Sequence, residues 1–506
     1  MAFTSRASNL VAGLEDLSRA FPDVFVHDRA TGVTVLVSHA AGSPVRTGPH
    51  GSSEPALSAD GSWIAYGSFD PDLAAGVRDA GTFPDLFLYE RATGTNRAVT
   101  VHPPGLASTS LTTLADSHNP SVSGDGRYVA FSSYGPPLVP GIGTSARNGD
   151  IYLHDRVTRR TVLVSRSTGA AFAGGNADSQ QPRISRDGSV VVFHSLATDL
   201  VPGQRDRPGT YDVFLWDRQT GRTTLVSRSH ASRTRTGAGN SFLAGVSADG
   251  NGGAFQGSAT DLVPRQRQAS ASNVFLWDRR TGAVTLVSHR FNQPSQTGND
   301  ASLFSSMSAD GAFIAFDSIA SDLVAPPRDA NGLNDAFLFE RRTGQVTLLS
   351  RAGGAFAGRS PLLSADGRRA AFVARNHQRP QESLVVLDRL TGGAAEAVPS
   401  TSLIRGLHGF SDDGRWLLFT SDAPDLVPGQ AEDEPHDDLF LFDSVSREVR
   451  LVSHVPGDPA RAAGRTGSAS LSPDGRWAAF ISYSPLLFPD EDGLQFPNLF
   501  LYDRTT

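Results

Sequence analysis

The chain has 506 residues and a formal net charge of -7, with 39% hydrophobic residues, 19% charged residues and no cysteine. This composition provides enough apolar surface for a large core and excludes an intrinsically disordered chain. The absence of cysteine excludes disulfides, thiolate metal sites and a cysteine nucleophile. The lack of a clustered basic excess argues against nucleic acid as a partner.

Membrane insertion is not expected either. No window approaches the roughly 18 apolar residues that a membrane helix needs. The first residues lack both the basic start and the apolar core of a secretory leader. We therefore expect no membrane span and find no targeting signal in this sequence.

One tetrapeptide, S-x-D-G, recurs along the chain about every 60 residues. Its eight copies begin at Ser58, Ser123, Ser185, Ser247, Ser308, Ser364, Ser411 and Ser472. Because the copies run from one end to the other without a linker, residues 1–506 are predicted to form a single domain.

Each repeat predicts four short strands, A to D. The residues before S-x-D-G form strand A, and an apolar stretch such as residues 128–131 forms strand B. An aromatic strand C ends in an acid–arginine pair, as in residues 214–218, and a Thr-Gly turn leads into strand D. Short antiparallel strands joined by tight turns are typical of a propeller blade. The fold class is therefore an all-β propeller.

S-x-D-G before an apolar strand, followed by an acid–arginine–x–Thr–Gly turn, resembles the TolB-type, WD-like β-propeller repeat. The resemblance covers essentially the whole chain and implies the fold. It also implies a periplasmic or extracellular location. It does not imply an activity, because related propellers serve as scaffolds, binding platforms and accessory domains of hydrolases.

The two ends of the chain leave the number of blades open. The first repeat starts inside strand B at Met1 and the last stops after strand C at Arg504. Nine blades with incomplete first and last blades follow if a segment upstream of Met1 is missing. The alternative is eight blades, in which a D strand at residues 33–38 completes the last blade and residues 1–29 form an extra arm.

Two recurrent features are interpreted as structural. The acid–arginine pair occurs in almost every repeat, so it is expected to pair within a blade or across to its neighbour rather than to act in catalysis. His27 and His154 occupy a strand-C position that holds aromatic residues elsewhere, and we expect both to be hydrogen-bonded structural histidines.

Short A–B and C–D turns are predicted at one face, and long B–C and D–A loops at the other. Binding sites are expected on the long loops. Several repeats place small polar residues just before strand A, where symmetry would bring them to the mouth of a central channel. As a ligand or ion site we predict His118, Asn119, Asn176, Asp178, Asn240, Asn299 and Asp300. The alternative is that they only cap turns.

Basic residues collect in adjacent long loops, and Arg233, Arg235 and Arg267 are predicted to bind a charged protein partner. The alternative is that these arginines only form a solvent-exposed rim and bind no partner.

The segment D-x-N-G-x-x-D places oxygen ligands at Asp329, Asn331 and Asp335. These residues could hold calcium, although the run of ligands is shorter than that of an EF-hand loop. The alternative is an Asx turn. No other cofactor is predicted.

The sequence contains no nucleophile elbow, zinc-binding helix motif or phosphate-binding loop. The leading hypothesis is a non-catalytic propeller that binds a protein or a saccharide through its long-loop face. The alternative is a propeller hydrolase or lyase with a polar or metal site at the channel mouth, for which Asp178, Asp300 and His118 are the first candidates.

Overall fold

The computed structural model describes residues 1–18, 21–76, 84–100, 116–134, 138–139, 148–169, 173–267, 272–326, 329, 332–350, 356–376, 382–399, 403–432, 436–487 and 498–506. The fold is an all-β propeller of nine antiparallel blades, with one 3-10 turn at Pro485–Leu487 in the described part. Among these residues no helix has the length and apolar character that a membrane crossing requires.

The chain divides into two compact units, and the division runs through the fifth blade. The first unit consists of Met1–Phe255, Ala259–Pro264 and Trp277–Val284; the second consists of Gln256–Ser258, Arg265–Leu276 and Thr285–Thr506.

Blades 1 to 4 lie in the first unit, and each pairs its strands in the order A-B-C-D. Blade 1 contains β1 (Ala2–Ser5), β2 (Asp23–Asp28) and β3 (Val33–Leu36). Blade 2 contains β4 (Ser52–Leu57), β5 (Trp63–Ser68), β6 (Asp85–Glu90) and β7 (Thr95–Ala98). Blade 3 contains β8 (Asp116–Val122), β9 (Tyr128–Tyr134), β10 (Gly149–Asp155) and β11 (Arg160–Leu163). Blade 4 contains β12 (Ser179–Ile184), β13 (Val190–Ser195), β14 (Asp212–Asp217) and β15 (Arg222–Leu225).

The remaining blades follow the same order, and hairpins follow blades 5 and 8. Blade 5 contains β16 (Ser241–Val246), β17 (Gly252–Gly257), β18 (Asn273–Asp278) and β19 (Val284–Leu286), and its hairpin is β20 (His289–Arg290) with β21 (Gln293–Thr297). Blade 6 contains β22 (Ser302–Met307), β23 (Phe313–Ser318), β24 (Asp335–Glu340) and β25 (Gln345–Leu348). Blade 7 contains β26 (Phe356–Leu363), β27 (Arg369–Asn376), β28 (Glu382–Asp388) and β29 (Gly393–Pro399). Blade 8 contains β30 (Ile404–Phe410), β31 (Trp416–Ser421), β32 (Asp438–Asp443) and β33 (Val449–Leu451), and its hairpin is β34 (His454–Val455) with β35 (Asp458–Ala462). Blade 9 contains β36 (Thr466–Leu471), β37 (Trp477–Ser482) and β38 (Asn498–Asp503).

The first and last blades are incomplete, as predicted. Blade 1 has strands B, C and D, and blade 9 has strands A, B and C. The eight-blade alternative is wrong, because β3 pairs with β2 in blade 1, with Phe25 opposite Leu36.

The core lies between neighbouring blades. In blade 4, Phe193 of β13 lies opposite Phe214 of β14, and the two rings stack with centroids 5.8 Å apart. This pair packs against Ile151 and Leu153 of blade 3. A buried aromatic side chain contributes roughly 1.5 to 3 kcal/mol, so the repeated Phe pairs account for much of the adhesion between blades.

The S-x-D-G turns link neighbouring blades. The hydroxyl of Ser185 donates to Asp187 (2.6 Å) and accepts from the backbone of Val190 (3.2 Å), which closes the turn. Gly188 has φ +69°, and a Cβ at this position would lie 2.8 Å from the Tyr128 ring of the preceding blade. Glycine is therefore required both for the left-handed backbone and for the close approach.

The acid–arginine pair completes the same contact, which confirms its structural interpretation. Arg218 donates to the carbonyl of Gly188 (2.7 Å) and lies 4.3 Å above the ring of Tyr128. In blade 3, Arg156 has the same relation to Gly126 and to the ring of Trp63.

Replacement of Gly188 by alanine is expected to destabilise the protein more than replacement of Gly221. Both glycines have left-handed φ angles, but a Cβ at Gly221 would meet nothing within 4 Å. Gly221→Ala should cost about 1 kcal/mol for the backbone alone, and Gly188→Ala roughly 1 to 3 kcal/mol more for the clash with Tyr128. Thermal unfolding of the two variants measures the difference, and equal midpoints would contradict the role of Gly188 in blade contacts.

Candidate functional site

We call the end of a blade that carries the B–C and D–A loops its long-loop end, and the other its short-turn end. In the described part of the chain, every exposed aromatic side chain lies at a long-loop end: Phe21, Phe69, Phe242, Phe291 and Tyr483. The exposed large apolar side chains in C–D turns are aliphatic, as at Val157, Leu390 and Val445. Exposed aromatic residues are frequent at binding surfaces, so this asymmetry is a reason to look for a site at the long-loop ends, where binding stays a prediction.

Three rings form a cluster at the long-loop ends of blades 4 and 5, within the first unit. His194 ends strand B of blade 4, Tyr211 precedes its strand C, and Phe242 is the second residue of β16. The His194 ring meets Tyr211 and Phe242 edge to face, with centroids 5.2 and 5.7 Å apart. Tyr211 and Phe242 are 5.4 Å apart. We call these three residues the aromatic ledge.

His194 is the buried base of the aromatic ledge, whereas Phe242 remains 37% exposed. Burial lowers the pKa of His194 to about 4, so its ring is neutral at ordinary pH. Its buried Nδ1 has no hydrogen-bond partner among the described residues. The imidazole therefore acts here as a neutral packing surface that supports the two outer rings.

Polar groups lie on both sides of the aromatic ledge. The side-chain oxygen of Asn240 accepts from the backbone N–H of Tyr211 (2.9 Å), which fixes the approach to strand C. On the blade 3 side, the amide of Gln180 donates to the hydroxyl of Tyr134 (2.8 Å). Asp178 accepts from the backbone of Gly149 (2.9 Å). The surface thus combines one exposed ring with amide, hydroxyl and carboxylate groups.

The polar residues predicted at the channel mouth are found in several different settings. Asn176 and Asn299 join loops, because Asn176 pairs with Thr198 and accepts from its backbone (2.8 Å), and Asn299 does the same with Ser321 (2.9 Å). Asp300 accepts from the backbone of Ala301 (2.7 Å). Only the Asp300 contact is local. The Asn176 and Asn299 contacts join residues that lie 22 positions apart in the chain.

His118 and Asn119 lie in β8 of blade 3. The backbone N–H of Asn119 donates to Glu54 of the neighbouring blade (2.8 Å), and the carbonyl of His118 accepts from Ser132 (3.1 Å). Of the predicted set, Asn240 and Asp178 flank the aromatic ledge. A ligand role for any of the seven residues stays a prediction.

The sequence analysis missed the aromatic ledge itself. The position after the strand-B phenylalanine holds His194 in blade 4 but Gly67, Ser132 and Thr420 in other blades. A comparison of the repeats that looked for residues differing at a shared position, and not only for residues that all repeats share, would have identified the aromatic ledge.

Arg233 and Arg235 are exposed and lie in the D–A loop of blade 4, in the first unit. Neither makes an ion pair with a described residue. Arg235 forms a parallel bridge with Arg205, so its backbone is fixed while its side chain is exposed. Arg267 lies in the second unit and forms the corresponding bridge with Gln296. Their binding role stays a prediction.

The predicted calcium residues are only partly described, because Asn331 lies outside the described residues. Asp329 and Asp335 are both buried, and Asp335 accepts a hydrogen bond from Ser350. Within the described ranges, no group of three or more His, Cys, Asp or Glu side chains is arranged to hold a metal ion. Calcium binding stays a prediction.

The two strand-C histidines are paired, as predicted. Nδ1 of His27 contacts the hydroxyl of Thr34 (2.9 Å), and Nδ1 of His154 contacts that of Thr161 (3.0 Å). Burial lowers the pKa of His154 to about 4.

Buried aspartates recur at the start of strand C. Asp212 is fully buried, and Ser227 at the end of strand D donates to it (2.6 Å). Burial is the main cause that raises the pKa of these carboxyls, to about 8 for Asp212, about 7 for Asp150 and about 6 for Asp23 and Asp438. Asp70, which follows strand B of blade 2, is raised to about 7 for the same reason.

No family model matches the chain, and no curated protein matches it. Among solved structures, Porphyromonas gingivalis dipeptidyl peptidase 4 matches with a TM-score of 0.53 and 11% identity, covering 89% of this chain and 58% of that chain. TolB from Acinetobacter baumannii matches with a TM-score of 0.30 and 14% identity, covering 88% and 85%. Oligogalacturonate lyase from Vibrio parahaemolyticus matches with a TM-score of 0.38 and 13% identity, covering 76% and 88%.

The chain thus spans 58% of the length of the peptidase. At these identities the likeness shows the fold alone. The propeller implied by the TolB-type repeat is confirmed by the blades described above, and TolB proteins are among the structures that match.

The buried carboxyls predict that stability falls as the pH rises. A carboxyl whose folded pKa lies above its unfolded value contributes stability that is fully present below about pH 4 and is lost as the pH rises through the folded pKa. The protein should therefore lose this stability between about pH 4 and pH 8, the range spanned by the unfolded and folded pKa values of Asp23, Asp70, Asp150, Asp212 and Asp438. The unfolding midpoint should therefore drop by several degrees between pH 5 and pH 8. Asp438→Asn should flatten this slope, and a midpoint that rises toward pH 8 would contradict the prediction.

Proposed function

We propose that this chain is a non-catalytic binding propeller whose aromatic ledge holds a neutral saccharide. The observation that carries the proposal is the exposed ring of Phe242, held in place by Tyr211 and by the buried His194. A ring that is supported on two sides keeps its orientation when a ligand arrives. Binding then costs little side-chain entropy.

The chemistry around the ledge fits a saccharide. A sugar ring presents an apolar C–H face and hydroxyl groups that both donate and accept hydrogen bonds. Phe242 provides an apolar surface for that face. The hydroxyl of Tyr211, the free amide hydrogens of Asn240 and the side-chain oxygen of Gln180 provide hydrogen-bonding groups nearby. An apolar surface with a few placed polar groups is typical of small-ligand sites.

The hydrolase or lyase alternative receives less support from the geometry. Its candidates Asp178 and Asp300 each accept a backbone hydrogen bond, and His118 lies on β8 of blade 3. The matched peptidase and lyase share the fold at 11% and 13% identity. Such a likeness carries no catalytic residue over to this chain.

Phe242→Ala is expected to weaken saccharide binding by about tenfold or more, since a buried stacking contact contributes about 1 to 2 kcal/mol. The measurement is a screen of neutral oligosaccharides on the wild-type chain, followed by titration calorimetry with the tightest ligand. Phe69→Ala is the matched control, because Phe69 is 39% exposed at another long-loop end but lies outside the ledge. Equal affinities for both variants, or no saccharide bound by the wild type, would refute the proposal.

A second candidate function is docking of an acidic protein. It is favoured by the exposed side chains of Arg233 and Arg235 on a loop whose backbone is fixed by the bridge to Arg205. Fixed charges bind an oppositely charged surface with less entropy loss.

Replacing Arg233 and Arg235 together by alanine should reduce capture of such a partner several-fold, and the loss should be largest at low salt. A pull-down from the native source at two salt concentrations measures this, with Arg159→Ala in a C–D turn as control. Unchanged recovery of every captured protein would refute the role of the two arginines.

A further inference from the structure

The long loops of four blades are joined by the same backbone contact. A residue of the B–C loop forms a parallel bridge with a residue of the D–A loop that follows it, and we call this contact the loop bridge. The four pairs are Glu15 with Arg46, Arg205 with Arg235, Arg267 with Gln296, and Ala431 with Arg461. In blade 4, Arg205 donates to the carbonyl of Thr234 (2.8 Å) and accepts from the N–H of Thr236 (3.0 Å).

A pair of carboxyl groups lies directly next to the loop bridge of blade 4. Asp206 follows Arg205 in the B–C loop. Burial raises the pKa of Asp206 and of the buried Asp212 at the start of strand C, and each of the two carboxyls influences the pKa of the other. Asp206 accepts from Thr236 (2.8 Å) and from Gln204 (3.0 Å). Asp212 accepts from Ser227 through Oδ1, and its Oδ2 has no donor among the described residues. When Asp212 is protonated, this oxygen carries its own hydrogen.

Blade 1 contains the same arrangement with a serine between the acids. The hydroxyl of Ser18 lies 2.9 Å from a carboxyl oxygen of Asp16 and 2.9 Å from one of Asp23. A serine hydroxyl has one hydrogen to donate. The same hydroxyl also lies 3.2 Å from the carbonyl of Phe21. The cluster therefore has more acceptors than hydrogens, and a proton on Asp23 would supply a second hydrogen to it. The backbone of Leu17 donates to Thr47, which ties this cluster to the loop bridge (2.8 Å).

Most of the other titratable groups that face these pairs are acidic, but Asp72 near the blade 1 cluster is paired with Arg46 of the loop bridge (3.4 Å). Asp261 from the next B–C loop faces Asp212, and Asp70 faces Asp23. Asp72 and Tyr66 lie near the blade 1 cluster as well. No arginine is among the groups that set the pKa of Asp23 or Asp212. In blade 8 the corresponding acids are Glu432 and Asp438, and the basic side chain of His436 also faces them. Blade 8 therefore combines acidic groups with a basic one.

Blade 5 has the loop bridge without the acid pair. Its strand C begins with Asn273, whose side-chain oxygen accepts from Ser288 (3.5 Å). The amide of Asn273 carries its own hydrogens at every pH. The bridge between Arg267 and Gln296 forms in this setting too, so the backbone contact does not require a carboxyl at this position.

We propose that the loop bridges of blades 1 and 4 are pH-sensitive latches, each closed by the proton of a buried strand-C carboxyl that lies beside a second acid, Asp23 beside Asp16 and Asp212 beside Asp206. When the pH rises, this proton dissociates to solvent and leaves two carboxylates side by side. Their repulsion separates the B–C loop from strand C and opens the bridge to the D–A loop. In blade 4 this D–A loop carries Arg233, Arg235 and Asn240, so the latch controls access to this long-loop end whatever ligand binds there.

Hydrogen–deuterium exchange of the whole chain tests the latches. The amides of Arg205 and Thr236 should exchange faster as the pH rises from 5 to 7.5, beyond the intrinsic pH dependence of exchange. Because the folded pKa of Asp212 is about 8, the increase should be on the order of tenfold per pH unit in this window. The bridge amides of Glu15 and Thr47 should respond in the same direction. The amides of Arg267 and Thr297 in blade 5 are the internal control and should show no excess.

Asp212→Asn separates the latch from general destabilisation. The asparagine oxygen accepts from Ser227, and its amide places no titrating proton beside Asp206, which reproduces the blade 5 arrangement. The excess pH dependence should then disappear in blade 4 and persist in blade 1. An equal pH response in blades 4 and 5, or an unchanged response of blade 4 in Asp212→Asn, would overturn the proposal.

Discussion

Contact between neighbouring blades at their short-turn ends depends on one packing arrangement, in which an arginine lies between its own S-x-D-G turn and an aromatic ring of the preceding blade. Arg218 above Tyr128 and Arg156 above Trp63 show it in the first unit. Arg504 above Trp416 shows it in the second. A guanidinium suits this place because it is planar, always charged and able to stack while it donates to a carbonyl. Blade 8 departs from this arrangement, because Ser444 stands in the place of the arginine and donates to the carbonyl of Gly414 (3.1 Å).

The long-loop ends follow a different principle, because their loops are held mainly by backbone contacts. The loop bridge of blade 4 uses the N–H and carbonyl of Arg205 and leaves its side chain exposed. A backbone bridge fixes the path of a loop without specifying which side chains it presents. Blades that share one loop geometry can therefore present different side chains. The aromatic ledge is such a difference on a repeated scaffold.

The repeat made the fold and its incomplete terminal blades predictable, because S-x-D-G and the acid–arginine pair are local patterns with direct structural causes. The role of Asn176 was predictable only as one of two alternatives. Its partner Thr198 lies in another loop, so this contact depends on tertiary structure. The aromatic ledge was not predicted, since His194, Tyr211 and Phe242 come from separate strands and no local pattern links them. Burial, which determines the protonation of Asp212, is likewise a property of the folded chain.

Blade 5 shows why the buried acids need an explanation beyond folding. With Asn273 at the start of strand C, that blade keeps the serine contact and the loop bridge. Asp212 makes the same serine contact, but its burial raises its pKa to about 8, so near neutral pH the fold has to hold a proton that the unfolded chain releases. An asparagine would remove that cost and keep the oxygen acceptor. The carboxyl accepts from its serine at 2.6 Å where the amide does so at 3.5 Å, and it also adds a proton that leaves as the pH rises.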